Sequence, residues 1–372
     1  MSERGFQSIR ICFATTEYPP HVGGIARSAH RLASRLVQSG FEICVFTLPA
    51  KNRTTSTTPV NVDGTIVYTV PSTLDGIIQM IREVDNIRSF DLFHGFPLVA
   101  AFPCLRVASE GGRPVIASIR GIDGMEFNDV ALTVLRESSW ITSVSRDSIS
   151  RAMAHVDISS RSSFIPNSTE VKYLPKWRPS AVNEGVVGTV ATFRPKKNIP
   201  LLIQAYSETD VALRKKLLLV GDFFDGNNID YAQMHRINGV IKELKLDSEV
   251  TITGYINNAR ISEYLLSMRV FVLSSDHEGL PNSILEAAAV GVPIVTTAVD
   301  GVKDIFTSGE DALFVPPKDS RKLAAAIREV LTDVDLACRL SKGARDTMAR
   351  LTPEAEKQAY VDLYKQLLNT NR

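Results

Sequence analysis

The sequence predicts an α/β protein made of two doubly wound parallel-sheet domains. Three observations predict it. The chain has 372 residues, more than one compact domain usually holds. Short β-branched runs alternate with helical patterns along its whole length, the signature of βα units feeding a parallel sheet. A stretch at 173–184, rich in Pro and polar residues and without periodicity, separates two halves that each have enough strands for a sheet of their own.

In the first half the strand candidates fall at 9–14, 42–48, 65–70, 91–94, 114–119, 140–143 and 163–165, and a helix is expected from about Ile25 to Gln38. In the second half they fall at 186–192, 216–220, 250–253, 270–274, 293–297 and 313–315. The domains are therefore expected at 1–175 and 184–352. A helical pattern over 353–368 begins a final segment, 353–372, that can pack back on the first domain.

Composition narrows the function classes. An apolar share of 44% and a charged share of 22% describe a globular chain with a sizeable core and exclude disorder as a dominant theme. A formal charge of +1 gives no bulk attraction to nucleic acid. Residues 1–180 hold 19 Lys plus Arg against 16 Asp plus Glu, and 16 of those cations are Arg, which favours bidentate contact with phosphate or carboxylate. Cys12, Cys44, Cys104 and Cys338 are far apart, form no CxxC, and the first two read as small core residues. No apolar h-region opens the chain and no run reaches the ~20 apolar residues of a membrane span, so a cytoplasmic location is expected.

Open parallel sheets bind ligands beyond the carboxyl ends of their strands, so polar and Gly-rich residues just after strands are the candidates. After the first strand, Gly23 and Gly24 open a helix, where backbone N–H groups approach an anion and the helix dipole adds ~0.3–1 kcal/mol. The alternative is a plain tight turn. The spacing is not GxGxxG, which disfavours a nicotinamide dinucleotide. On the helix that follows, Arg27, Arg31 and Arg35 form a basic stripe, either a solvated face or a peripheral contact with anionic membrane. His94, expected at the edge of the sheet, can bond a sugar or shuttle a proton, or be structural. Arg120 and Asp123 follow another strand between glycines and offer acceptor contacts or ordinary turn chemistry.

The second half is sharper. The strand at 186–192 runs into Arg194, Lys196 and Lys197 just before a helix. Hydrogen bonds to charged groups are worth ~1.5–3 kcal/mol each, enough for such a cluster to stabilise a departing diphosphate. Gly221 closes another strand. The strand at 270–274 leads into Glu278, Gly279, Leu280, Pro281, Asn282 and Ser283, then a helix through about Ala289. Gly279 permits close approach, and Asn282 or Ser283 is expected to cap the helix. Glu278 and Glu286, eight positions apart, can reach a sugar and a ribose. Asp333-Val334-Asp335 matches a metal-diphosphate DxD but interrupts helical, surface-like sequence, and the six histidines form neither HxxxH nor HExxH, so no metal site and no cofactor are expected.

Taken together, these segments resemble the retaining glycosyltransferase family GT4. Glu278 to Glu286 is similar to its E-x7-E motif, within EGLPNSILEA and before GVPIVTT, and Pro166-Asn167 resembles its PNG segment with Ser168 in place of Gly. The resemblance covers nearly the whole chain, loosely in the first half and closely from Gly188 to Asp304. It implies the GT-B architecture, two Rossmann-like domains facing a central cleft. It implies that amides at Gly23-Gly24 and the Lys197 ammonium hold a diphosphate, that Glu286 binds ribose, and that Glu278 with the neighbouring amides holds the donor sugar. Retention at the anomeric carbon without a metal is also implied. Two further positions depart from the family: Thr192 stands where an Arg is usual, with Arg194 two residues on, and Phe96 replaces the second histidine of an HxH beginning at His94.

The function expected is transfer of a hexose-type sugar from a nucleoside diphosphate donor to a hydroxyl of a glycan, lipid-linked glycan or small metabolite. The alternatives are a catalytically weak relative that binds sugar nucleotide or scaffolds, which the two departures favour, and a nucleotide-sugar epimerase.

Overall fold

The structure, a computed structural model, describes residues 8–21, 23–50, 56–121, 127–169, 176–180, 183–225 and 228–370. The chain divides into two units, 1–167 with 353–372, and 168–352.

The first unit runs β1 (Arg10–Thr15), α1 (Gly24–Gln38), β2 (Glu42–Thr47), β3 (Ser56–Val62), β4 (Thr65–Thr69), α2 (Leu74–Arg88), β5 (Leu92–Phe96), α3 (Ala101–Ala108), β6 (Val115–Ile119), α4 (Asp129–Glu137), β7 (Trp140–Ser143), α5 (Arg146–Met153) and β8 (Ser162–Phe164). The sheet order is β3-β4-β2-β1-β5-β6-β7-β8, parallel throughout except for β3 against β4. Because helices cover both faces, the central strands are apolar on both sides. In β1, Cys12 and Ala14 pack toward α2, α3 and α4, while Ile11 and Phe13 pack toward α1 and the C-terminal helix. β3 escapes the sequence analysis because Pro59 and its polar neighbours do not read as a strand; an edge position tolerates the missing N–H.

The second unit runs β9 (Val186–Val190), α6 (Ile199–Glu208), β10 (Lys216–Val220), a short antiparallel pair β11 (Phe224–Asp225) and β12 (Asn228–Ile229), α7 (Tyr231–Glu243), β13 (Val250–Ile252), α8 (Ile261–Leu266), β14 (Val270–Leu273), α9 (Asn282–Val290), β15 (Ile294–Thr297), α10 (Asp300–Lys303), β16 (Leu313–Val315), α11 (Ser320–Thr332) and α12 (Val334–Met348). Its sheet, ordered β13-β10-β9-β14-β15-β16, is parallel throughout. The last helix, α13 (Pro353–Thr370), belongs to the first unit, where Tyr360, Val361, Tyr364 and Leu367 join the core beneath α1.

The division at 167/168 lies upstream of the stretch that composition reads as a linker. Trp177 explains the shift. Its indole is buried in the second unit, the backbone N–H donating to Val290 O at 3.0 Å and Nε1–H to Met268 O at 2.8 Å.

Candidate functional site

In the second unit the chain order reverses at β9, with β10 and β13 on one side and β14, β15 and β16 on the other. The loops after β9 and β14 therefore flank the topological switch point, where open α/β sheets hold ligands. After β9 comes a 3₁₀ turn, Pro195–Lys197, and then Asn198 in the left-handed region at φ 45°. Asn198 tolerates that conformation, and its side chain caps α6 by accepting from Leu201 N–H at 3.3 Å.

Three hydrogen bonds tie this loop to the one after β14, and a fourth ties that second loop to β15. Asp276 N–H donates to Lys196 O at 2.8 Å, Ser274 Oγ to Lys197 O at 2.9 Å, Asn198 Nδ2 to Asp276 Oδ1 at 2.9 Å, and Thr297 Oγ1 to Ser275 O at 2.6 Å. The result is a convergence of charge. Lys197 Nζ pairs with Glu278 Oε1, Lys196 Nζ lies 3.7 Å from Oε2, and Ser275 Oγ donates to Oε1 at 3.0 Å. The Glu278 side chain is only 6% exposed. Burial on its own raises a carboxyl pKa, but the charges of Lys197 and Lys196 and the bonds from Lys197 and Ser275 outweigh it and hold Glu278 below its ordinary value. It is an ionised carboxylate fixed between two ammonium groups.

Gly279, Leu280, Pro281, Asn282 and Ser283 are all buried. The expected cap by Asn282 or Ser283 is not what forms. α9 begins at Asn282 itself, with Pro281 at the N-cap and no side-chain cap bond, because both polar residues already sit inside the first turn. Glu286 is half-buried four residues after Asn282, on the same helical face. Arg194 precedes the 3₁₀ turn, and its Nε–H is buried with no hydrogen-bond partner among the described residues. Gly221 has φ 141°, and a Cβ there would lie 1.7 Å from Ala191 O, so the residue is needed for backbone packing. Its N–H donates to Thr253 Oγ1 at 3.2 Å.

One position in this site was not found from the sequence. A Cβ on Gly301, in α10, would stand 1.4 Å from the carbonyl oxygen of Gly279. Gly301 thus lets the helix after β15 press against the loop that carries Glu278. The available signal was a glycine opening a helix at the same end of the sheet.

The first unit treats its predicted site residues differently. β5 ends two residues later than expected and lies between β1 and β6, so His94 is mid-strand in an interior strand and not at the sheet edge. The imidazole is fully buried, Nδ1 at 2.7 Å from Tyr364 Oη and Nε2 at 2.7 Å from Ser118 Oγ, which continues to Thr142 Oγ1 at 2.6 Å. Burial, with a smaller contribution from the Arg120 charge, lowers its pKa to about 3. A neutral ring with both nitrogens engaged has the geometry of a structural hub between α13 and the sheet.

Phe96, also fully buried, lies under the Arg120 guanidinium at 4.2 Å from its carbon to the ring centroid. Arg120 Nη2 donates to Asn167 Oδ1, and burial lowers the guanidinium pKa although Tyr360 and Glu356 oppose the shift. Asp123 lies outside the described residues. Gly23 is the N-cap of α1 with extended backbone and Gly24 its exposed first residue, without a side-chain cap. The basic stripe is not a bare face. Arg31 is bound to the buried Glu356 of α13 at 3.1 Å and Arg35 lies 4.0 Å from Glu354, because α13 packs alongside α1.

Residues 22–172 match the model for glycosyltransferase family 4, and residues 175–347 match the model for glycosyl transferases group 1. By family, the chain is a GT4-like glycosyltransferase. A 2-deoxystreptamine N-acetyl-D-glucosaminyltransferase of Niallia circulans is 34% identical over 136 residues, 36% of this chain and 35% of that protein's length. An N-acetyl-alpha-D-glucosaminyl L-malate synthase of Bacillus anthracis is 23% identical over 95% of this chain and 96% of its own. Among solved structures, Anabaena HepE in complex with UDP-glucose superposes with a TM-score of 0.81 at 17% identity, covering 96% of this chain and 100% of that one, a likeness of fold.

In this GT4-like glycosyltransferase the GT-B fold is present as two parallel-sheet α/β units. The Asp333-Val334-Asp335 triplet serves a helix, since Asp333 caps α12 by accepting from Leu336 N–H at 2.8 Å. Among the described residues no helix is long and apolar enough to cross a membrane.

Proposed function

We propose that this glycosyltransferase moves a sugar from a nucleoside diphosphate sugar to a hydroxyl of a glycan, lipid-linked glycan or small metabolite, with retention at the anomeric carbon. The convergence of Lys196, Lys197 and Glu278 at the switch point of the second unit carries this reading. The UDP-glucose bound by the Anabaena protein supports a sugar-nucleotide donor.

Lys197, Lys196 and the buried Arg194 Nε–H meet the donor diphosphate, whose charge grows as the glycosidic bond breaks. Glu278 and the amides of the loop after β14 hold the donor sugar, and Glu286 accepts the ribose hydroxyls. The acceptor oxygen bonds to the anomeric carbon on the face from which the phosphate leaves. The bond to the phosphate oxygen breaks, and that oxygen takes the acceptor's proton. His94 stays outside this scheme as a structural residue. The lysines supply the countercharge, so turnover is expected to persist in EDTA.

A thermal-shift panel of UDP-, GDP-, ADP- and dTDP-sugars tests the donor assignment; at a hundredfold excess over Kd the true donor adds about 2.7 kcal/mol. Glu286→Ala is expected to weaken that donor roughly tenfold, the loss of a charged hydrogen bond or more. Unchanged affinity by calorimetry would count against the assignment. Donor binding with neither hydrolysis nor transfer over an acceptor panel would select a binding protein, the outcome that the buried His94 and Phe96 favour.

A further inference from the structure

We infer that a cavity in the first unit holds an apolar, uncharged aglycone of the acceptor. The inference rests on the transferase reading above and adds the chemical class of the acceptor. The cavity has a volume of about 300 Å³ and lies at the carboxyl ends of β1, β2 and β4, where Ala14, Phe46 and Val70 line its interior. That is the end of a parallel sheet at which ligands bind. Neither His94 nor Arg120 belongs to it.

Charge and size define the occupant. Among the described residues, none lining the cavity is ionisable, and its polar side chains are the hydroxyls of Thr15, Thr16 and Ser72. Thr15 Oγ1 already donates to Glu17 O at 3.0 Å. A phosphate, carboxylate or ammonium would lose its hydration there without a partner, so a neutral group is selected. A cavity of about 150 Å³ takes one benzene ring. Twice that volume takes two fused or linked rings, or a hydrocarbon of similar bulk, and is too small for a long polyprenyl chain.

The mouth supplies a second observation. Leu74, Val99 and Val130 line the cavity from three separate elements, yet they are 45%, 39% and 37% exposed. A single exposed aliphatic side chain is ordinary. Three that converge on one opening form an apolar rim that folding leaves uncovered, the arrangement a ligand completes on entering.

The test compares binding of 2-naphthyl glucoside and methyl glucoside to the full chain by calorimetry, without donor. The naphthyl compound is expected to bind at least about tenfold more tightly. Val99→Asp and Val130→Asp, at partly exposed positions, should each erase that preference, whereas Val99→Leu should keep it. All three should leave sugar-nucleotide binding and the melting temperature unchanged. Equal binding of the two glucosides, or a preference that survives both Asp substitutions, overturns the inference while leaving the transferase reading intact. Failure of every sugar nucleotide to bind sinks the transferase reading, yet the naphthyl comparison still decides the cavity.

Discussion

In the first unit the two strands at the reversal of chain order, β1 and β5, end side by side in Thr15 and Phe96. In the second, β9 and β14 occupy the same topological place and are followed by Lys196, Lys197 and Glu278. The β5 side of the first position is sealed: Phe96 is buried beneath Arg120, and His94 is locked between Tyr364 and Ser118. At the second, an ionised carboxylate and two ammonium groups share one spot. One fold therefore offers two switch points, and only the side chains decide which holds charged chemistry. The apolar cavity of the first unit extends the contrast, since it suits a neutral group as the lysine cluster suits an anion.

The contrast breaks most sharply at Lys197. Lys197→Ala is expected to lower the affinity for the donor, and for its nucleoside diphosphate, roughly tenfold to a hundredfold, the worth of one charge-assisted hydrogen bond. Equal calorimetric affinities in wild type and variant would show that the charged switch point is not the diphosphate site.

A smaller effect is expected at Gly301. In Gly301→Ala the new methyl meets Gly279 O, and overpacking of this kind costs about 1–3 kcal/mol. Both the melting temperature and donor affinity should fall, because the displaced loop carries Glu278. Gly239→Ala, where a Cβ meets nothing within 4 Å in α7, should be neutral or stabilising by about 0.5–1 kcal/mol. If the two variants melt alike, the close approach does not position the loop.

The sealed side sharpens through pH. The folded state keeps His94 neutral down to about pH 3, whereas the unfolded chain protonates it near 6.5. Stability from this residue is thus complete above pH 6.5 and is lost as pH falls toward 3, by up to about 1.4 kcal/mol for each pH unit. His94→Gln removes the titration, so its urea stability should fall less steeply than that of wild type between pH 6.5 and 4.5. Parallel slopes would mean that His94 is solvated and available for chemistry after all.

Legibility followed the range of the interactions. The alternation of strand and helix is written locally, so most strands were found within a few residues of their observed ends. β3 was missed because its Pro59 argues against a strand that only an edge permits. The strand expected at 91–94 runs on to Phe96 because Gly95 and Phe96 pair with Ala14 and Thr15 of β1, partners remote in the sequence. Trp177 sits in a stretch whose composition reads as linker, and its anchoring to Val290 and Met268 depends on residues about a hundred positions away. In the site, Lys197 and Glu278 were each marked by position after a strand and by family resemblance. Their pairing, 81 residues apart in sequence, was not.

Residue order by itself determined the two-sheet α/β architecture, the glutamates eight positions apart and the cations ahead of a helix, because periodicity and spacing are properties of the chain. Tertiary structure decided which of those groups meet. The histidine read as a sugar contact, a proton shuttle or a structural residue became a buried strut because α13, some 270 residues later, brings Tyr364 onto it. The arginine stripe, read as a solvated face or a membrane contact, became an anchor for the same helix. Burial and partnership set the charge state and availability of a side chain, and both are supplied by residues remote in the sequence.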